Sequence, residues 1–129
     1  MKTYWDSSAL VEAVFNPVMK QRLETERAYT RPHALAETFS TLTGNPETRI
    51  SADNAAAVIQ NLSRSIDYVE VSASEVLAAL KKARSKGVRG GRVHDYLHAI
   101  AAEKAGAGKI LTCDKHDFDD LTEIKVEQF

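Results

Sequence analysis

Residues 3–8 read Thr-Tyr-Trp-Asp-Ser-Ser and residues 109–114 read Lys-Ile-Leu-Thr-Cys-Asp. Each is a short run of β-branched, aromatic or aliphatic residues that stops on a carboxylate. Such runs fit strands, and the Asp-Ser-Ser that closes the first supplies residues that cap helices well. A helix is therefore expected directly after Trp5, carrying Leu10, Val11, Val14 and Phe15 on one side. Two strands that both end in an acid place those acids together if the strands are neighbours. In an open α/β sheet, ligands gather beyond the carboxyl ends of the strands.

The same alternation continues through the chain. Pro17 suggests a break and a second helix to about Arg27. Tyr29 belongs to a short strand, and Pro32 opens a helix holding Leu35, Phe39 and Leu42 that Gly44-Asn45-Pro46 stops. Ser51 caps an alanine-rich helix to about Leu62, and residues 66–71 read as a strand. Ser72 and Glu75 have capping-box spacing, ahead of an apolar stripe of Val76, Leu77, Leu80 and Ala83. Residues 86–92 form a basic, glycine-rich loop. Val93, Leu97, Ile100 and Ala101 mark the next helix, ended by Gly106-Ala107-Gly108. Residues 123–129 alternate and add an edge strand. Strands alternating with helices imply an α/β fold: a mostly parallel sheet of four to five strands with helices on both faces.

The whole chain limits what this fold does. Its 129 residues fit one domain, spanning 1–129, with an ordinary 43% hydrophobic and 27% charged content. The formal net charge is -1, so any affinity for phosphate must come from a local patch. A single cysteine, Cys113, excludes an internal disulfide. The N-terminus lacks the apolar core of a signal peptide, and no stretch approaches a membrane span. A soluble cytoplasmic protein is expected.

Four acids are candidates for chemistry. Asp6 and Asp114 stand at strand ends, where a carboxylate must be solvated, paired or bound to a cation. Asp95 lies early in its helix, opposite the Val93–Leu97–Ile100 stripe and on a face with Ala99 and Ala102. Those small residues let a second element approach the carboxylate closely. Glu37 occupies the first turns of its helix. Taken singly, Asp95 and Glu37 read more readily as surface acids favoured by the helix dipole.

Together these residues resemble a known family. Residues 6–10, Asp-Ser-Ser-Ala-Leu, resemble the opening motif of PIN domains. Residues 33–38, His-Ala-Leu-Ala-Glu-Thr, resemble the segment that carries the family's lone Glu. Residues 91–99 resemble the block with the third acid, and residues 111–118 the closing Thr-x-Asp block with Asp-Phe shortly after. Order, spacing and length agree over essentially the whole chain. The subgroup it is most similar to is the toxin component of VapBC toxin–antitoxin pairs.

The resemblance implies a PIN-like fold and an endoribonuclease that needs Mg²⁺ or Mn²⁺, as one ion or two. Asp6, Asp95 and Asp114 would hold the principal ion, and Glu37 would complete the site or orient a water. A fifth acid in relatives maps near Asp117, which reads equally as a loop acid or helix cap. Ser7 and Thr112 are candidate supporting hydroxyls. It also implies a small antitoxin partner and a homodimer. Hard divalent cations suit this oxygen-rich set, and four acids repel one another until a cation neutralises them.

Lys81, Lys82, Arg84, Lys86, Arg89 and Arg92 precede Asp95 closely. Arg89 and Arg92 are the candidates for binding RNA phosphates; the alternative is a solvated helix end. His33, His94, His98 and His116 lack a zinc-motif spacing, and no catalytic histidine is expected. Tyr4, Trp5 and Cys113 are expected to be buried. The competing function is a catalytically silent PIN-like module that binds RNA or protein. A haloacid-dehalogenase-like phosphatase would need a second Asp where Ser8 stands, and a receiver-like domain would need an acidic pair and a late lysine that find no place here.

Overall fold

The computed structural model describes residues 1–47 and 49–129. β1 (Lys2–Trp5) leads through α1 (Ser7–Phe15) and α2 (Pro17–Thr25) to β2 (Arg27–Thr30). α3 (His33–Gly44) and α4 (Ala52–Ser63) follow, then β3 (Ile66–Tyr68), α5 (Ala73–Lys82) and α6 (Arg92–Ala105). β4 (Lys109–Thr112) and β5 (Lys125–Gln128) complete the chain. The five strands form one parallel sheet in the order β3-β2-β1-β4-β5. The α/β class with a mainly parallel sheet is therefore observed, with every pairing parallel.

Residue alternation along the strands divides the interior into two cores. Tyr4 and Ile110 face a layer containing Ala79, Tyr96, Ala99 and Ala102 of α5 and α6. Trp5 and Leu111, one residue on, face Leu10, Leu23, Ala34 and Leu62 of α1 to α4. Tyr4 and Trp5 are wholly buried, as the sequence suggests. The chain builds outward from β1 to β2 and β3, then returns to lay β4 on the other side of β1. That reversal makes the β1/β4 junction the switch point of the sheet, where a crevice opens at the carboxyl ends.

Local chemistry sets the element ends. Asp6 caps α1, its Oδ1 accepting from Ala9 N at 3.0 Å. Ser51 caps α4, and Ser72 with Glu75 closes a reciprocal capping box on α5. Gly106, at φ 71°, takes the left-handed conformation that ends α6, a geometry costly for a residue with a Cβ.

The structure corrects several sequence readings. α2 stops at Thr25, because the chain needs Arg27 for β2, and β3 ends at Tyr68 rather than at residue 71. α3 buries Ala34, Thr38 and Leu42, leaving Phe39 exposed. α5 buries Ala79, while Leu77 and Leu80 are 60% and 45% exposed. Both helices turn their small residues inward, where they pack closest, and carry larger apolar side chains outside. Cys113 is exposed, one residue beyond β4. Among the described residues, no helix is long and apolar enough to cross a membrane.

Candidate functional site

The parallel pairing of β1 with β4 matches Trp5 to Leu111, so Asp6 and Asp114 leave the same edge of the sheet from adjacent strands. Asp6 is buried, and its backbone N–H donates to the Leu111 carbonyl at 3.2 Å. Its Oδ1 is fully used, by Ala9 N and by the Ser8 hydroxyl at 2.5 Å. Oδ2 is the oxygen left for an ion. Ser8, rather than Ser7, ties this corner together: its Oγ also accepts from Cys113 N at 2.9 Å, bridging the ends of β1 and β4. Thr112 is buried and accepts from Asp114 N at 3.3 Å, the role of a hydroxyl that satisfies the sheet end. Asp114 itself is exposed, with Oδ1 accepting from His116 N at 3.0 Å to start a 3-10 turn over Lys115–Phe118.

α6 delivers Asp95 to the same crevice. The face it shares with Ala99 and Ala102 is packed against the sheet, both alanines being fully buried. This fixes the carboxyl in a half-buried position in the first turn. Burial pushes its pKa up from 3.8 to about 6, aided by the negative charges of Asp117, Asp6 and Glu37 and opposed by His98. Asp117 is likewise raised, by burial and then by Asp114 and Asp6. The mutual repulsion shows that Asp6, Glu37, Asp95, Asp114 and Asp117 share one electrostatic neighbourhood.

Glu37 is held differently. Burial acts to raise its pKa, but a hydrogen bond from His98 and the positive charges of His98, Arg31 and His33 outweigh it, and the result lies below the usual range. His98 is buried between two partners. The Tyr4 hydroxyl lies 2.7 Å from Nδ1, and Glu37 Oε1 lies 2.9 Å from Nε2. Burial raises Tyr4 far above the ordinary phenol range, so it stays protonated and donates to Nδ1. In the neutral ring Nε2–H then donates to Glu37, the one neutral tautomer that satisfies both neighbours. Arg31, the first residue past β2, brings Nη2 to 3.7 Å from Glu37 Oε1.

The sequence reading missed His98 and Arg31 as site residues. Two signals pointed to them: His98 falls one turn after Asp95 on the same helix face, and Arg31 follows a strand end as Asp6 does. Of the two serines after Asp6 that could support the site, Ser8 makes the bonds to Asp6 and Cys113. Of the candidate phosphate binders, Arg92 stands near Asp117, favouring its charged form, and donates from Nη2 to the Asp119 carbonyl. Arg89 is exposed in the loop before α6.

The acidic donors suit a hard divalent cation. Hydrogen-bonded acids spread around a crevice leave room for water ligands, which Mg²⁺ retains. Their excess negative charge, visible in Asp95, is what a cation relieves. Among the described residues, however, His33, Glu37 and His94 are the only three potential ligands whose atoms all lie within 4.8 Å of one another. No three of Asp6, Asp95, Asp114 and Asp117 form such a group. A cleft of about 400 Å³ beside them is lined by Ser7, His33, Ala36, Glu37, Ser40, Thr41 and His94.

Comparison with known proteins places this arrangement. Two solved structures share the fold. PAE2754 from Pyrobaculum aerophilum matches with a TM-score of 0.71 at 16% identity, over 97% of this chain and 87% of its own. VapBC-1 from nontypeable Haemophilus influenzae matches with a TM-score of 0.68 at 14% identity, over 99% of this chain and 98% of that one. No curated protein matches the chain by sequence. The PIN domain model matches residues 3–124, nearly the full length and including all five acids. The chain belongs to the PIN domain family, whose members are generally metal-dependent nucleases.

Proposed function

We propose that the chain is a single-domain, Mg²⁺- or Mn²⁺-dependent endoribonuclease, the toxin of a type II toxin–antitoxin pair acting in the cytoplasm. One observation carries the reading: Asp6 and Asp114 leave adjacent parallel strands at the switch point of the sheet, and burial with the charges of Asp117, Asp6 and Glu37 raises the pKa of Asp95 beside them. Asp6, Asp95 and Asp114 would hold the principal ion, with Asp117 at its margin and Glu37 completing the site. A bound divalent cation supplies water activation and charge neutralisation at a scissile phosphodiester.

The protein's own groups do the positioning. Ser8 and the α1 N-terminus fix the Asp6 carboxylate. The Tyr4–His98–Glu37 chain fixes Glu37 as a charged acceptor facing the cleft, and Arg31 holds its charge from behind. Arg92 and the exposed Arg89 would take flanking RNA phosphates.

The likeness in fold to VapBC-1 supports an antitoxin partner, and the exposed apolar residues Phe15, Val18 and Phe39 support protein contacts, including a homodimer. Incubating antitoxin-free protein with total RNA, Mg²⁺ or Mn²⁺, and then chelator is the test. Discrete cleavage that the chelator stops is the expected result. RNA binding without cleavage under either metal would establish the silent-module alternative instead.

A further inference from the structure

Of the crevice acids, only Glu37 belongs to the three side chains that stand close enough to share one ion. His33 and Glu37 are four residues apart on α3 and so lie one above the other on one face. His94, in the first turn of α6, reaches across to them, its ring parallel to that of His33 within 17° at 6.3 Å between centroids. One ligand atom from each lies within 4.8 Å of the others, at the wall of the 400 Å³ cleft. Glu37 Oε1 is taken by His98, which leaves Oε2 for an ion. We infer that His33, Glu37 and His94 form a second metal site, which takes a borderline first-row transition cation of the Zn²⁺ class.

The donor set decides the class. Two neutral imidazoles and a carboxylate suit Zn²⁺ or Co²⁺, while Mg²⁺ prefers oxygen alone. Three protein ligands with open positions toward a cleft form an accessible site rather than a closed structural one. Bonds of about 2 Å bring tetrahedral ligand atoms to roughly 3.4 Å from one another. Both histidines are exposed, and rotation about their side-chain bonds closes the gap without moving either helix. His98, through its bond to Glu37, orients the carboxylate as outer partners of metal ligands do. The inference does not depend on the chain being a nuclease.

The test uses tag-free full-length protein, stripped with chelator and held in excess Mg²⁺. Zn²⁺ is titrated by calorimetry, and Co²⁺ by its visible absorption. One equivalent of each is expected to bind. His33→Ala and His94→Ala should each weaken Zn²⁺ by at least about 10-fold and abolish the Co²⁺ band. His116→Ala, at an exposed histidine outside the site, and Asp114→Asn should bind as wild type. Both ligand histidines are exposed, so matched unfolding curves are expected to show these variants folded. Binding unchanged in the His33→Ala/His94→Ala double variant, binding lost equally in Asp114→Asn, or no binding in excess Mg²⁺ would each overturn the site.

Discussion

Replacing Asp95 by Asn should make the metal-free protein more stable, and only above a definite pH. Asp95 rises from 3.8 when unfolded to about 6 in the fold. Between those values the folded chain holds the proton that the unfolded chain releases, so stability falls as pH rises. Above about pH 6 the penalty is fully present; below 3.8 both states are protonated and it vanishes. The full shift corresponds to about 3 kcal/mol at roughly 1.4 kcal/mol per unit. Asp95 is only half-buried, and solvent screening brings this to about 1–2 kcal/mol. Asn has nearly the same shape and no charge. Thermal unfolding in chelator at pH 8 should therefore show a Tm about 4–8 °C higher for Asp95→Asn. The two curves should converge near pH 4. Adding Mg²⁺ or Mn²⁺ should raise the wild-type Tm more than that of the variant. A destabilised variant at pH 8, or a gain that does not change with pH, would refute the reasoning.

Other groups give separate tests. His98→Leu leaves the Tyr4 hydroxyl and Glu37 without their shared partner and should cost about 1–3 kcal/mol in urea unfolding; a loss under about 0.5 kcal/mol would contradict the buried chain. Glu127 is held at about 2 by hydrogen bonds from Arg22 and Lys109, which pin the edge strand β5. Its contribution is present above 4.5 and is lost as pH falls toward 2. Glu127→Gln should thus cost about 0.5–1 kcal/mol near neutrality and nothing at the acid end. Arg89→Ala should weaken RNA binding and lower the slope of log affinity against log salt by about 1.

The features of local origin are legible in the sequence alone. Asp6 after Thr3-Tyr4-Trp5, Asp114 after residues 110–112, the Ser72/Glu75 box and the edge strand at the C-terminus each follow from neighbours in the chain. The closeness of Asp6 to Asp114 needed one further condition, that β1 and β4 pair, and they do. Asp95 was placed by its alanine face, and Ala99 and Ala102 are indeed the buried side of α6. Periodicity failed on α3 and α5, because it finds the most apolar stripe and not the side that packs closest. It therefore chose Phe39, Leu77 and Leu80 over Thr38 and Ala79. Cys113 was read as a strand residue, but the strand stops at Thr112, where Ser8 takes over the next backbone N–H. The His33–Glu37–His94 group joins an i,i+4 pair on α3 to a residue of α6, and the Tyr4–His98–Glu37 chain joins residues dozens of positions apart. Only the packing of α6 across β1 and α3 completes them, so spacing along the chain reveals at most one pair of each.

The most direct measurement is RNA cleavage by Asp6→Asn beside the wild type, with Mg²⁺ or Mn²⁺ and with chelator. Asn keeps an oxygen for Ala9 N–H and remains a good helix cap, so the variant should unfold close to the wild-type midpoint. The expected result is wild-type cleavage that chelator abolishes, and a folded Asp6→Asn that does not cut. Full cleavage by that variant, or wild-type cleavage indifferent to chelator, would contradict a carboxylate-held cation at the β1/β4 junction.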